Sequence, residues 1–142
     1  DGWYLRQDII WHKPNPMPES VRDRCTKSHE YIFLLSKNQN YYFNVDAIKE
    51  PTKRKQSVWN INKKPYKESH FAVFPPDLIK PCILAGSEKG DIILDPFIGS
   101  GTTAMVAKEL CRDYIGCELH EDYGKLIKNR ISDARGTLEW FL

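Results

Sequence analysis

The chain has 142 residues, 41% of them hydrophobic, and a formal net charge of +2. That suits one domain with a real core and is too apolar for a disordered chain. No apolar run approaches the roughly 18 residues of a membrane span, and no charged segment leading into an apolar one marks a secretory leader. Charge is unevenly spread: residues 1–70 hold 13 lysines and arginines against 8 acidic residues, and residues 71–142 hold 8 against 11. A basic first half hints at a polyanionic partner on that side. Four cysteines, at positions 25, 82, 111 and 117, form no Cys-x-x-Cys pair and have no histidine at zinc-like spacing. They read as reduced, mostly buried thiols of a cytosolic protein, with no metal site.

In chain order, residues 3–11 are rich in aromatic and β-branched side chains and read as a strand. Lys13 to Ser20 carries three prolines and reads as a loop. Glu30 to Ser36 is a second strand; polar residues 37–40 follow, and Tyr41-Tyr42-Phe43 resumes as a strand, giving a hairpin. Residues 46–69, polar and lysine-rich, form a long loop with little core of its own. Pro75-Pro76 opens a helix over Asp77 to Ala85, capped by Gly86. Asp91 to Leu94 is a short strand, Thr102 to Leu110 a helix, and Tyr114 to Cys117 another strand. Glu121 to about Ala134 is an amphipathic helix with Tyr123, Leu126, Ile127 and Ile131 inward. The alternation of strand and helix implies a parallel strand pair in an α/β domain.

From the end of the Asp91–Leu94 strand into the helix that follows runs Asp95-Pro96-Phe97-Ile98-Gly99-Ser100-Gly101-Thr102-Thr103. A strand that runs through a glycine turn into a helix makes a nucleotide cradle, because glycine admits close backbone approach and the helix start offers free N–H groups. Thr102 and Thr103 can cap that helix. Glu118, 23 residues after Asp95, ends the next strand, where a carboxylate can grip two ribose hydroxyls. Gly99-x-Gly101-x-x-Ala104 also fits a dinucleotide fingerprint, which leaves a nicotinamide-dependent oxidoreductase as a rival. Against it, Asp95 at the strand end would repel a pyrophosphate, whereas it can pair with the cationic amino group of S-adenosylmethionine.

The string resembles the cofactor motif of bacterial and phage DNA amino-methyltransferases, which modify adenine N6 or cytosine N4. Further segments match that family's permuted β-type members in order: Asp8 to Pro18, Ser28 to Phe33, Val58-Trp59-Asn60-Ile61, and His70 to Pro75 just before the cofactor motif. The resemblance implies a Rossmann-like class I methyltransferase fold, with a mixed sheet flanked by helices, incomplete at its N-terminus. Residues 1–142 then form one domain: middle strands over 1–45, a possible DNA-contact segment over 46–69, and the cofactor portion over 70–142. It implies S-adenosylmethionine as cofactor. Asp95, Pro96, Phe97, Gly99, Ser100 and Gly101 would line its methionine and ribose side, Thr102 and Thr103 its carboxylate, Glu118 its ribose, and the backbone of Phe71, Ala72 and Val73 its methionine part. Double-stranded DNA is the implied partner, with Arg22, Arg24, Lys27, Lys53, Arg54 and Lys55 as phosphate contacts. The implied setting is the cytoplasm of a bacterium or of a phage-infected one.

The family's catalytic motif, (Asp/Asn/Ser)-Pro-Pro-(Tyr/Phe/Trp), does not occur. Asn15-Pro16-Met17-Pro18 is nearest but has Met third and Pro fourth, and Pro75-Pro76 is preceded by Phe74 and followed by Asp77. In the permuted order that motif lies N-terminal to everything here. No residue of this chain is therefore assigned a catalytic role. The missing part would come from an upstream segment or a second polypeptide; a non-catalytic cofactor- or DNA-binding protein is the alternative.

Overall fold

The computed structural model describes residues 2–63 and 73–133. β1 (Tyr4–His12) pairs antiparallel with β2 (His29–Ser36), in register from Tyr4 opposite Ser36 to His12 opposite His29, with a bulge between Leu5 and Gln7. The loop joining them is the proline-bearing one, as expected. On the other edge of β1 lies β3 (Val58–Asn60), running parallel with Trp11 opposite Trp59. The resulting order is β2-β1-β3, a mixed sheet. A second sheet pairs β4 (Ile92–Asp95) and β5 (Asp113–Gly116) in parallel, from Ile92 opposite Asp113 to Asp95 opposite Gly116. Among the described residues the strands thus pair as two sheets, the first of them mixed as expected.

Three helices complete the described elements: α1 (Pro76–Gly86), α2 (Thr102–Glu109) and α3 (Glu121–Asp133). α1 joins the two sheets. Leu78 and Cys82, one turn apart, face a cluster of Ile9, Trp11 and Trp59, while Ile79 and Ile83, one residue on, face Val106, Ala107 and Ile93. Neighbouring stripes of one helix therefore serve two cores. On α3, Tyr123, Leu126, Ile127 and Ile131 are half-buried, which agrees with the expected inward stripe.

Several expectations are corrected. Tyr41-Tyr42-Phe43 is not a strand and makes no hairpin with β2. The partner of β2 is β1, and the aromatic run instead crosses to α1, where the Asn44 N–H donates to the Ala85 carbonyl at 2.8 Å. The Asn44 side chain then accepts from the Ala47 N–H at 3.0 Å and starts a 3-10 turn at Asp46–Ile48. The run walls a cavity of about 450 Å³ together with Phe33, Leu35 and Pro81. Nor does the 46–69 stretch lack core: Trp59 is buried on β3, donating its indole N–H to the Gln56 carbonyl at 2.7 Å. Its residues 64–69 lie outside the described ones. Gly86 does not cap α1; it is the last helical residue, and the helix ends because Ser87 turns extended. Finally, Cys25 and Cys117 are exposed and Cys82 and Cys111 half-buried, and no disulfide joins any of the four. Burial pushes the Cys82 thiol up to about 11.

The end of α1 is held by a buried cation. Ser87 donates its hydroxyl to the Ile83 carbonyl at 2.7 Å. Arg112, just before β5, donates to the Ser87 hydroxyl at 3.2 Å, the Ser87 carbonyl at 2.7 Å and the Leu110 carbonyl at 2.6 Å. Its charge is thus spread over oxygens that burial would otherwise leave unmet. Arg112→Ala should lower unfolding free energy by on the order of 3 kcal/mol. Arg112→Lys should recover only part, since one ammonium cannot span the same acceptors. Urea denaturation of the two variants measures both, and equal stability of all three proteins would contradict this account.

Candidate cofactor site

β4 and β5 end side by side, and their carboxyl ends are where open α/β sheets bind ligands. From Asp95 the chain turns through Pro96 and Phe97 to Gly99 at φ +51° and Gly101 at φ +82°, then enters α2. Both angles are left-handed, so the turn needs glycine at both places. At Gly101 a side chain would also press on Ile127 of α3, 3.4 Å away.

Two carboxylates shape the turn. Asp95 accepts the Phe97 N–H at 3.0 Å on one oxygen and the Thr103 hydroxyl at 2.6 Å on the other. Glu118, just beyond β5, accepts the Gly99 N–H at 2.9 Å on one oxygen and the His120 N–H at 2.9 Å on the other. The His120 N–H, with those of Gly99 and Leu119 behind it, holds the Glu118 carboxyl below the usual carboxylate range. A cleft of about 110 Å³ lies against this turn, lined by Val73, Phe74, Phe97, Ser100, Thr102 and Tyr123 among others. The Thr102 hydroxyl oxygen is buried and has no hydrogen-bond partner among the described residues. A buried hydroxyl left so is costly, and a polar ligand group would relieve it.

Most sequence-expected cofactor residues thus come together. Asp95, Gly99, Ser100, Gly101, Thr102, Thr103 and Glu118 form one turn and its braces; Val73 and Phe97 line the cleft, and Pro96 is exposed. Phe71 and Ala72 lie outside the described residues, as does His70. Two roles change. Neither threonine caps α2: the capping position is Gly101 and no side chain bonds there, because Thr103 is spent on Asp95. Each Asp95 oxygen already serves its own turn, so this acid is first a shaper of backbone.

Reading the sequence missed Gly116, Tyr123 and His120. A Cβ at Gly116 would meet the Ile98 side chain at 2.2 Å, so the bare backbone there is what lets Ile98 close over β5. A glycine at a strand end next to the cofactor acid was the available signal. Tyr123 lines the cleft, and His120, ring-to-ring with it at 6.3 Å, follows Glu118.

The six basic residues expected at DNA are not gathered at this turn. Arg24 is paired with Glu19 at 3.6 Å and Asp23 at 3.5 Å, and Lys53 with Glu50 at 3.5 Å. Lys55 lies over the Trp59 ring at 5.0 Å; Arg22, Lys27 and Arg54 are exposed. The loops after β1 and β3 are tied together by Asn15, whose amide donates to the Lys63 carbonyl at 3.2 Å and accepts its N–H at 2.9 Å. Among the described residues no cluster of His, Cys, Asp and Glu could hold a metal ion, and no helix is long and apolar enough to cross a membrane.

A DNA methylase family model, that of the N6/N4 methyltransferases, matches residues 1–129. The chain belongs to the DNA methylase family. It is 58% identical to the type II methyltransferase M.SmaI of Serratia marcescens, over 95% of this chain and 49% of that protein. It is 49% identical to M.Cfr9I of Citrobacter freundii, over 92% of this chain and 45% of that one. The chain thus spans about half the length of these relatives. Its fold matches the M1.HpyAVI–SAM complex with a TM-score of 0.70 at 31% identity, covering 91% of this chain and 63% of that one. It matches the PvuII cytosine-N4-specific DNA methyltransferase with a TM-score of 0.82 at 21% identity, over 91% of this chain and 51% of that one. The fold is that of the class I methyltransferases. S-adenosylmethionine is this DNA methylase family's cofactor, and the unmet Thr102 hydroxyl and the glycine cradle fit it.

The turn and its braces set two expectations. Gly116→Ala should displace Ile98 and cost about 1–3 kcal/mol, read as a lower denaturation midpoint. Ionised Glu118 is the form that accepts both N–H bonds, so its contribution is complete above the ordinary value of 4.5 and is lost as pH falls through its lowered folded-state value. The carbon-13 shift of the Glu118 side-chain carboxyl should therefore titrate with its midpoint below 4.5. A transition centred above that value would contradict the assignment.

Proposed function

We propose that this chain is the cofactor-binding portion of a bacterial or phage-encoded, cytoplasmic methyltransferase. The whole enzyme transfers a methyl group from S-adenosylmethionine to an exocyclic amino group of double-stranded DNA, at adenine N6 or cytosine N4. The observation that carries the reading is the glycine turn braced by Asp95 and Glu118 over a buried, unmet Thr102 hydroxyl. The names of the M.SmaI and M.Cfr9I relatives favour the same reaction.

S-adenosylmethionine, when bound, supplies a methyl group activated by its sulfonium. The chain's own residues bind and orient. Glu118 keeps lone pairs free beyond its two N–H bonds and so can accept two ribose hydroxyls. The Thr102 hydroxyl and the first N–H groups of α2 suit the methionine carboxylate. Phe97, 88% exposed, stands at the mouth of the cleft and can screen it from water. The amine to be methylated is held by an Asp-Pro-Pro-Tyr-type motif that this chain does not contain. An upstream segment or a second polypeptide supplies it, and Arg22, Arg24, Lys27, Lys53, Arg54 and Lys55 contribute sequence-blind phosphate contacts.

Titration calorimetry with S-adenosylmethionine should give saturable heat that Glu118→Ala weakens at least tenfold, by loss of charge-assisted bonds. Binding of a nicotinamide dinucleotide instead would point to the dehydrogenase reading. With labelled S-adenosylmethionine and duplex DNA, methyl incorporation should require an added polypeptide bearing the Asp-Pro-Pro-Tyr motif. If incorporation stays absent even then, the chain is a binding protein and not part of an enzyme.

A further inference from the structure

Asp95 and Glu118 hold the glycine turn by its N–H groups, at Phe97 and Gly99. Its oxygen side is held from elsewhere. Arg130, on α3, donates to the Ser100 hydroxyl at 2.8 Å and reaches the Ser100 carbonyl at 3.4 Å. Ser100 is 5% exposed and Arg130 half-buried, so this charged contact is sheltered from water. Such a bond is about twice as strong as a neutral one. It is also reinforced on both flanks. Ile127, one turn before Arg130, backs Gly101. Lys108 of α2 donates to the Ile131 carbonyl, the residue after Arg130, at 3.0 Å, fixing α2 against α3.

We propose that Arg130 is a positioning residue for cofactor binding. It does not itself line the cleft and meets it only through Ser100. It holds Ser100 in place, so that Gly99 and Gly101 keep the left-handed angles on either side and Thr102 keeps its place in the cleft wall. A turn with two left-handed glycines has many other accessible shapes, and ordering it costs entropy unless its contacts prepay that cost. A turn held ready binds more tightly than one that must be ordered by its ligand. The inference rests on reading the turn as the S-adenosylmethionine site.

The test compares Kd for S-adenosylmethionine in the unaltered chain, Arg130→Ala, Arg130→Lys, Ser100→Ala and the Arg130→Ala/Ser100→Ala double variant. Each alanine variant should weaken binding about tenfold. The double variant should be no weaker than the worse single one, since the bond lost in Ser100→Ala is among those that Arg130→Ala already removes. Lysine should restore part of the affinity. In parallel, deuterium uptake over residues 97–101 without ligand should rise in Arg130→Ala while α2 keeps its protection. Ser100→Ala removes a single oxygen and keeps the question open to measurement if Arg130→Ala does not fold. Unchanged Kd in folded variants, or losses that multiply in the double variant, would overturn the proposal. If the unaltered chain does not bind S-adenosylmethionine, the cofactor reading falls and this inference falls with it, a result told apart from the others by the first titration.

Discussion

The hydrogen bond from the Gly99 amide to Glu118 closes a loop between residues 19 apart in sequence, at 2.9 Å. It can form only because β4 and β5 pair in parallel with Asp95 beside Gly116, which brings the two strand ends level. A slip of one residue would carry Glu118 past the turn and reverse the faces of every side chain on β5. It also requires that nothing project from Gly116, where Ile98 lies down to bring the chain back across the strand end. Register, a bare glycine and a carboxylate are thus one condition, and the cleft exists only when all three hold.

α1 passes that condition on to the rest of the molecule. Its two neighbouring stripes bury Leu78 against Trp11 and Trp59 on one side and Ile83 against Val106 on the other. The loop after β1 and the stretch before β3, which carry the basic residues, are thereby held in a fixed relation to the cleft after β4. Within the first sheet the same economy recurs: Lys13 is buried against the Trp11 ring at 4.5 Å and paired with Glu30 of the neighbouring strand. His12 and Asn60 meet at 2.7 Å where β1 and β3 end. Polar groups at these strand ends fix where one loop begins relative to the next.

How much of this could be read beforehand depends on the range of the interactions. The stretch from Ile92 to Asp133 was legible, because its strands and helices alternate at short range and its glycines and acids form one contiguous motif. β3 was not: three residues of strand exist there because β1 offers an edge and Trp59 has a core to enter. Tyr41-Tyr42-Phe43 has strand-like residues but no free strand to pair with. The threonines of α2 looked like caps until Asp95 was seen to claim Thr103. Arg130 lies 30 residues from Ser100, and no spacing rule connects a helix surface to a turn it happens to cover. Composition misjudged the cysteines for a similar reason, since exposure at Cys117 follows from its place at the open end of a two-stranded sheet.

That last residue has a practical side. The Cys117 amide donates to the Asp95 carbonyl at 3.0 Å and its carbonyl accepts from Ile98 at 3.0 Å, so its backbone is knitted into the turn while its thiol faces water. The molecule therefore carries its own attachment point for a fluorophore or spin label, one peptide bond from Glu118. With Cys25, the other exposed thiol, replaced, such a label would watch the turn open, close and fill in real time.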